Sequence, residues 1–416
     1  MKKSRKKKLK YKNIIIVLVI IIAIVLIPKL LVNKEKELKM INLLNKNYNE
    51  IIEIIEDYNI EINLTYEYND EIEKGNIVSQ NLEENKIIEK SDVLELIISK
   101  GKLDKEKLKN DNINELGKVP IMMYHGIKNM KNSETSYTGG NVDKDGYTRT
   151  SEAFRNDLEF YYQEGYRMIK LSDYINGKID VEYGKSPIIL TFDDGNANNI
   201  KVTGIDSYGN IVIDPNSAVG ILEEYKKKYK DFNVTAIFFL TNNLFNQPEY
   251  DEKIINWLIN NGYEVGNHTQ GHNNFTTINE TKTEEVVGYM YEKLDEITNN
   301  KSSKIIALPY GSPYNKTHKN YSHIIEGTYN GTTYKTEAAL RVGWEPEISP
   351  YNKDFDKTFL KRCRAYDNNG LEFDIKMVFK NLEKTRYISD GEIDRIVINE
   401  NDLDKLQETN KETITY

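Results

Sequence analysis

Cysteine is almost absent from this chain: in 416 residues there is one, Cys363. A lone cysteine excludes an intramolecular disulfide and any cysteine-based zinc knuckle, so a bound metal would have to use histidine and carboxylate ligands. Cys363 itself reads as a small buried apolar residue. Histidine is scarce as well, at five residues. A basic surplus is also missing, since 57 Lys and Arg face 65 Asp and Glu for a formal charge of -8. That balance offers no electrostatic footprint for nucleic acid, and no nucleic-acid partner is expected. The length exceeds one small domain and suits a large single-core domain with an appendage.

What is present begins at the N-terminus. Residues 1–12 carry Lys2, Lys3, Arg5, Lys6, Lys7, Lys8, Lys10 and Lys12, and an uninterrupted apolar run follows from Ile14 to Ile27, continuing through Leu30, Leu31 and Val32. The run can span a bilayer and is apolar on every face, unlike a surface helix. No small-x-small cleavage site follows it. Residues 13–32 are therefore expected to be an uncleaved single-pass transmembrane signal-anchor in the cell membrane, with residues 1–12 cytoplasmic and the rest extracellular.

After a charged spacer, Met40 to Asp57 carries Leu43, Leu44, Tyr48, Ile51, Ile52 and Ile55 at helical spacing, predicting one amphipathic helix. Three strand-like runs follow, at Glu61 to Tyr66, Asn76 to Gln80 and Val93 to Ser99, separated by polar turns. This small α+β module, residues 38–102, resembles a PASTA repeat through Gly75-Asn76-Ile77-Val78-Ser79-Gln80 and Leu96-Ile97-Ile98-Ser99-Lys100-Gly101, although the proline and glycine usual after the glutamine are missing. The resemblance implies a module that binds peptidoglycan. A plain spacer is the bland alternative.

From Val119 the pattern changes to apolar strands alternating with amphipathic helices, which predicts parallel β/α architecture over residues 117–416. Strands are expected at Pro120 to Tyr124, Tyr166 to Lys170, Pro187 to Phe192, Thr235 to Leu240, Tyr263 to Gly266, Lys304 to Leu308 and Ala338 to Val342. Helices are expected at Glu152 to Glu164, Ala218 to Tyr229, Glu252 to Asn260 and Thr283 to Asn299. His125, Asp193 with Asp194, His268, and Pro309 with Tyr310 each fall just past a strand's C-terminal end. In a β/α barrel those ends converge on one face, so a distorted barrel would gather these residues into one pocket.

Asp194, His268 and His272 would offer one carboxylate and two neutral imidazoles, leaving open positions on a divalent metal, with zinc the first candidate. Such a metal eases proton loss from water and polarises a carbonyl. On an extended strand Asp193 cannot point the same way as Asp194, which frees it to act as a general base. Taken singly, Asp-Asp-Gly is an ordinary turn and His-x-x-x-His a chance pair. Thr269-Gln270-Gly271 lacks the glutamate of helical His-Glu-x-x-His proteases.

Together, Thr191-Phe192-Asp193-Asp194-Gly195 and Gly266-Asn267-His268-Thr269-Gln270-Gly271-His272 resemble the first two motifs of the NodB-type polysaccharide deacetylases, carbohydrate esterase family 4, and Leu308-Pro309-Tyr310-Gly311 resembles the third. The family arginine two residues before that proline is Ala307 here, and Arg341 or Arg362 could orient the base in its place. The general-acid histidine usual near the C-terminal end is also missing. Met123-Tyr124-His125-Gly126 is similar to the first motif of biofilm poly-N-acetylglucosamine deacetylases and offers His125 as acid. His318 and His323 read as surface residues.

The resemblance implies hydrolysis of an acetamide, with Asp193 as base, His125 as acid, and backbone N–H groups near Pro309 and Tyr310 holding the oxyanion. Tyr310 and Trp344 could also pack on sugar rings. The expected substrate is N-acetylglucosamine in peptidoglycan. Poly-N-acetylglucosamine, or a non-catalytic wall-binding role suggested by Ala307 and the missing histidine, are the alternatives. Ser207-Tyr208-Gly209-Asn210 predicts a hairpin turn, placed over the pocket.

Overall fold

The computed structural model of the protein describes residues 38–416. They divide into two compact units, one running to Asp104 and the other from Lys105 to Tyr416. The apolar run Ile14 to Ile27 lies outside the described residues, and among those no helix is long and apolar enough to cross a membrane.

The smaller unit holds helix α1 (Tyr48–Glu56) and strands β1 (Glu61–Glu67), β2 (Ile77–Gln80) and β3 (Val93–Ser99). β3 is central, parallel to β1 and antiparallel to β2. Alternation along β3 buries Leu94 and Leu96 against Ile51 and Ile55 of α1. The helix expected from Met40 begins only at Tyr48, where the Asn47 side chain accepts from the Asn49 N–H and caps it. The residues before it pair with a loop instead. Met40 donates to the Lys86 carbonyl and accepts from the Asn85 N–H, both at 2.8 Å, and the Leu43 N–H donates to Gln80 Oε1 at 2.6 Å. Leu43 is consequently buried while Leu44 is exposed, which a shared helical face would not allow.

Gln80 also donates to the carbonyls of Ile41 at 3.2 Å and Leu82 at 2.5 Å, so one amide satisfies three backbone groups. Gln80→Ala is expected to cost the module about 1–3 kcal/mol by leaving those groups unpaired. Hydrogen exchange would register this as lost protection at the Leu43 amide.

The larger unit contains β4 (Ile121–Tyr124), α2 (Ser151–Gln163), β5 (Tyr166–Met168), β6 (Ser186–Phe192), β7 (Val202–Ile205), β8 (Ile211–Ile213), α3 (Ala218–Lys228), β9 (Ile237–Leu240), α4 (Asp251–Asn260), β10 (Glu264–Asn267), α5 (Glu280–Thr298), β11 (Ile305–Ala307), β12 (Ala338–Leu340) and β13 (Cys363–Arg364). Each strand and helix expected from the pattern is present, with ends displaced by a few residues. The main sheet is parallel and curled, in the order β12-β11-β10-β9-β6-β4-β13, with β5 on the first half of β6. Leu360 pairs with Leu340 of β12, while Cys363 and Arg364 pair with Met122 and Met123 of β4. The stretch from Leu360 to Arg364 thereby joins the two edges of the sheet.

The period-2 alternation of β6 fixes what each face carries. Ile188, Leu190 and Phe192 pack outward with Phe154 and Leu158 of α2 and Ile221 and Leu222 of α3. Ile189 packs inward with Ile121, Ile237, Phe239 and Ile305. The inward row continues through Thr191 to Asp193, which brings a carboxylate to the mouth of the sheet's interior.

Candidate active site

At the strand ends lies a cavity of about 310 Å³ whose lining includes His125, Asp193, Asp194, His268, His272 and Tyr310. The sheet thus brings together residues 185 positions apart in sequence, from His125 to Tyr310, because each follows a parallel strand.

Asp193 is 1 % exposed. The Arg362 guanidinium grips it as a fork, Nη1 to Oδ1 and Nη2 to Oδ2, both at 2.7 Å. Burial alone would raise the Asp193 carboxyl, but Arg362, His268 and His125 outweigh it and hold it well below the usual carboxylate range. Arg362 is itself fully buried, with Nη1 also donating to Thr191 Oγ1 at 3.1 Å and Nε donating to the Arg341 carbonyl at 2.8 Å. Of the two arginines offered by the sequence, Arg362 meets Asp193. Arg341 does not: its guanidinium lies over the Phe359 ring, 4.6 Å from the centroid, because its backbone is committed to pairing with Leu360.

The neighbouring carboxylate takes a different direction for a reason other than strand alternation. Asp194 and Gly195 both adopt positive φ, 74° and 67°, so the chain leaves the strand as soon as Asp193 is placed. A Cβ at Gly195 would come within 1.9 Å of the Leu244 carbonyl oxygen. Gly195→Ala is expected to push this turn aside at a cost of about 1–3 kcal/mol. The fall in Tm should be accompanied by weaker divalent-metal binding in calorimetry.

Asp194 Oδ1 lies 3.2 Å from Nε2 of His268 and 3.4 Å from Nε2 of His272. The buried His268 ring is oriented by its Nδ1, which meets the Ala307 carbonyl at 2.8 Å. That bond makes Nδ1 the N–H and leaves Nε2 a lone pair. Nε2 is buried without a hydrogen-bond partner. In this tautomer three acceptor atoms converge, and only a proton or a cation between them relieves the repulsion. One carboxylate and two imidazoles, with ligand atoms within 4.8 Å of one another, fit a divalent metal. Burial opposes charge on His268, yet the two aspartates raise its pKa above the ordinary value, which marks the same electronegative hole.

His272 is half-buried at positive φ, and its ring meets the Tyr310 ring edge-on at 4.5 Å. The two histidines are not on a helix. Thr269 between them also has positive φ, held by its N–H donating to Asn267 Oδ1 at 2.8 Å and its Oγ1 accepting from Asn273 at 3.0 Å. A β-branched residue in that conformation is strained, and the loop's hydrogen bonds sustain it.

His125 lines the cavity from β4, and burial lowers its pKa. Its carbonyl accepts from Asn199 Nδ2 at 2.5 Å, and the Ile127 N–H donates to Asn198 Oδ1 at 3.0 Å. The Asn196-Ala197-Asn198-Asn199 stretch after the Asp-Asp-Gly turn thus braces the His125 turn. Sequence reasoning missed these residues, although four consecutive positions rich in asparagine carried the signal.

Tyr310, at φ 59° and 56 % exposed, stands at the rim. The N–H groups of Gly311 and Ser312 turn back to the Leu308 and Pro309 carbonyls, at 2.8 and 3.0 Å. Pro309 is buried and does not line the cavity; it opens the turn Pro309–Gly311. The hairpin β7–β8 forms, but none of its residues lines the cavity, and Ile211 and Ile213 line a separate groove with Trp257. His318 and His323 are partly exposed and do not line the cavity, and His323 Nδ1 meets Glu284 at 2.6 Å. The cavity wall also includes Tyr147 and Thr148, from a stretch the sequence left unassigned.

Residues 180–325 match the family model described as polysaccharide deacetylase, and residues 38–100 match the one described as PASTA domain. Asp193, Asp194, His268, His272 and Tyr310 fall inside the first match, whereas His125 and Arg362 fall outside it. No curated protein matches the chain. Among solved structures, the Streptococcus pyogenes deacetylase PplD in complex with acetate is 19 % identical, with 65 % of this chain and 98 % of that one covered at a TM-score of 0.45. A de-N-acetylase from Aggregatibacter actinomycetemcomitans is 14 % identical, with 64 % and 99 % covered at a TM-score of 0.41.

Proposed function

We propose that the chain, whose segments match the polysaccharide deacetylase and PASTA family models, is a hydrolytic N-deacetylase that removes acetyl groups from N-acetylglucosamine in peptidoglycan. The observation that carries the chemistry is the convergence of Asp194, His268 and His272 beside a buried, arginine-gripped Asp193. The PASTA domain favours peptidoglycan as the glycan.

Asp194, His268 and His272 would hold the metal, zinc first among candidates, which when bound eases proton loss from water and polarises the acetyl carbonyl. Asp193, kept ionised by Arg362, would take the proton from the attacking water. The Tyr310 N–H would donate to the carbonyl oxygen as it gains negative charge. His125 would pass a proton to the departing amine nitrogen as the C–N bond breaks. Tyr310, on the rim, gives a sugar ring an aromatic face. The apolar run Ile14 to Ile27 supports a membrane anchor that would hold the domain outside the cell, facing the wall.

A second reading, an exopolysaccharide such as poly-N-acetylglucosamine, is favoured by the histidine of the first motif, His125, in the cavity lining. Acetate release by the zinc-supplemented protein from purified peptidoglycan and from poly-N-acetylglucosamine separates the two. We expect release from peptidoglycan. Release from poly-N-acetylglucosamine alone would select the second reading, and release from neither would sink both.

A further inference from the structure

A histidine that donates a proton usually has its ring fixed by a hydrogen bond at the other nitrogen. His125 has none: its Nδ1 is buried without a hydrogen-bond partner. What touches the ring is Tyr147, edge to face, with centroids 4.8 Å apart and planes at 72°. The Tyr147 backbone is tied down, its N–H donating to Asp143 Oδ1 at 3.1 Å and the next N–H, of Thr148, donating to Asp143 Oδ2 at 2.7 Å. The Tyr147 ring in turn lies under the Arg364 guanidinium, 4.7 Å from the centroid, and Arg364 also covers Tyr366 at 4.9 Å.

The position of Arg364 follows from the strand that joins the sheet's edges. Side chains alternate along it: Cys363 packs outward into the helix-facing core, while Arg362 turns inward to Asp193. Arg364 shares the face of Arg362, one pleat closer to the mouth, where Tyr147 stands.

We propose that Tyr147 and Arg364 are positioning residues for His125, the arginine clamping the tyrosine ring and the ring fixing the imidazole, so that one strand orients the base through Arg362 and the acid through Arg364. The inference rests on the reading of His125 as the proton donor. Aromatic edge contacts and stacked guanidinium groups each favour one ring orientation modestly, and together they suffice for an effect of about ten-fold.

A double-mutant cycle on acetate release tests it, with circular dichroism and Tm recorded for every variant. Tyr147→Ala and Arg364→Met are each expected to lower kcat about ten-fold with KM within about two-fold, and Tyr147→Phe should recover most of the loss. Adding Tyr147→Ala to His125→Ala should bring no further loss, because its effect passes through the imidazole. Should Arg364→Met fail to fold, Arg364→Lys replaces it, keeping the charge but losing the stacked plane. A rise in KM at constant kcat would make Tyr147 a substrate wall and overturn the proposal, as would losses that multiply with that of His125→Ala. A wild-type kcat in His125→Ala alone would instead remove the reading on which it rests.

Discussion

Asp193→Asn is expected to lower kcat for acetate release by about a hundred- to ten-thousand-fold, the contribution of a positioned general base. It should also destabilise the protein by about 3–5 kcal/mol, because Arg362, 0 % exposed, would be left as an uncompensated buried charge. Arg362→Met should produce the complementary defect. The buried carboxyl would lose the guanidinium that overrides its burial, take up a proton, and cease to be a base. The double variant Asp193→Asn/Arg362→Met separates the two roles: a buried ion pair replaced as a unit is often near neutral in stability, so Tm should recover while activity stays lost. Measurable wild-type kcat in Arg362→Met would rule out the arginine as the group that supports the base. The sign of the pH dependence follows from the lowered carboxyl. Its folded value lies below the ordinary 3.8, so the pair's stabilisation is present above that value and is lost as pH falls through the folded one.

Those roles were only partly legible in the sequence. The apolar strand Pro187 to Phe192 and the turn after it announced Asp193 and Asp194 because a buried parallel strand is nearly continuous in Ile, Leu and Phe. The separate directions of the two carboxylates could be anticipated, but the cause lies in positive φ at Asp194, which no pattern of alternation encodes. Arg362 was one of two candidates, and the sequence could not choose. The joining stretch Leu360-Lys361-Arg362-Cys363-Arg364 does not read as a strand, since its inward side chains are charged and only two of its residues lie within β13. Its register, Leu360 on Leu340 and Cys363 on Met122, decides that Arg362 rather than Arg341 faces inward.

Local pattern failed where contacts were long-range. Leu43 and Leu44 fit helical spacing, but Gln80, 37 residues on, captures the Leu43 N–H, and the chain turns at Asn45 instead of entering a helix. The Tyr147 wall depends on Arg149, which is buried and bonds Asn141 Oδ1 at 2.9 Å and Asp157 Oδ1 at 2.8 Å, tying the loop to α2. The substitution Ala307, which removes the usual motif arginine, also proves to have a backbone role: its carbonyl fixes the tautomer of His268. Of the two features that suggested a non-catalytic protein, the missing arginine is met by Arg362, just before β13, which grips Asp193, and the missing histidine is met in position by His125, which lines the cavity after β4.

Asp194→Ala is expected to abolish stoichiometric divalent-metal binding, measured by elemental analysis after dialysis and by calorimetry, and acetate release with it. Asp194 is the only anion among the three convergent acceptors and the only one in contact with both imidazoles, so its loss removes the charge that draws a cation between them. His268→Ala should be nearly as severe, because the ring is buried and locked at Nδ1. His272→Ala should be milder, since this ring is about one-third exposed and is held by edge contacts with Tyr310 and His268 rather than by a buried hydrogen bond. Chelation of the wild type should reproduce the Asp194→Ala phenotype, with activity returning on addition of zinc. Because metal binds the folded site, zinc at about a hundred times its Kd should add about 2.7 kcal/mol to wild-type stability and nothing to Asp194→Ala. A variant lacking Asp194 that still binds one zinc with wild-type affinity would move the metal site elsewhere and leave the convergence of Asp194, His268 and His272 as a hydrogen-bonded cluster.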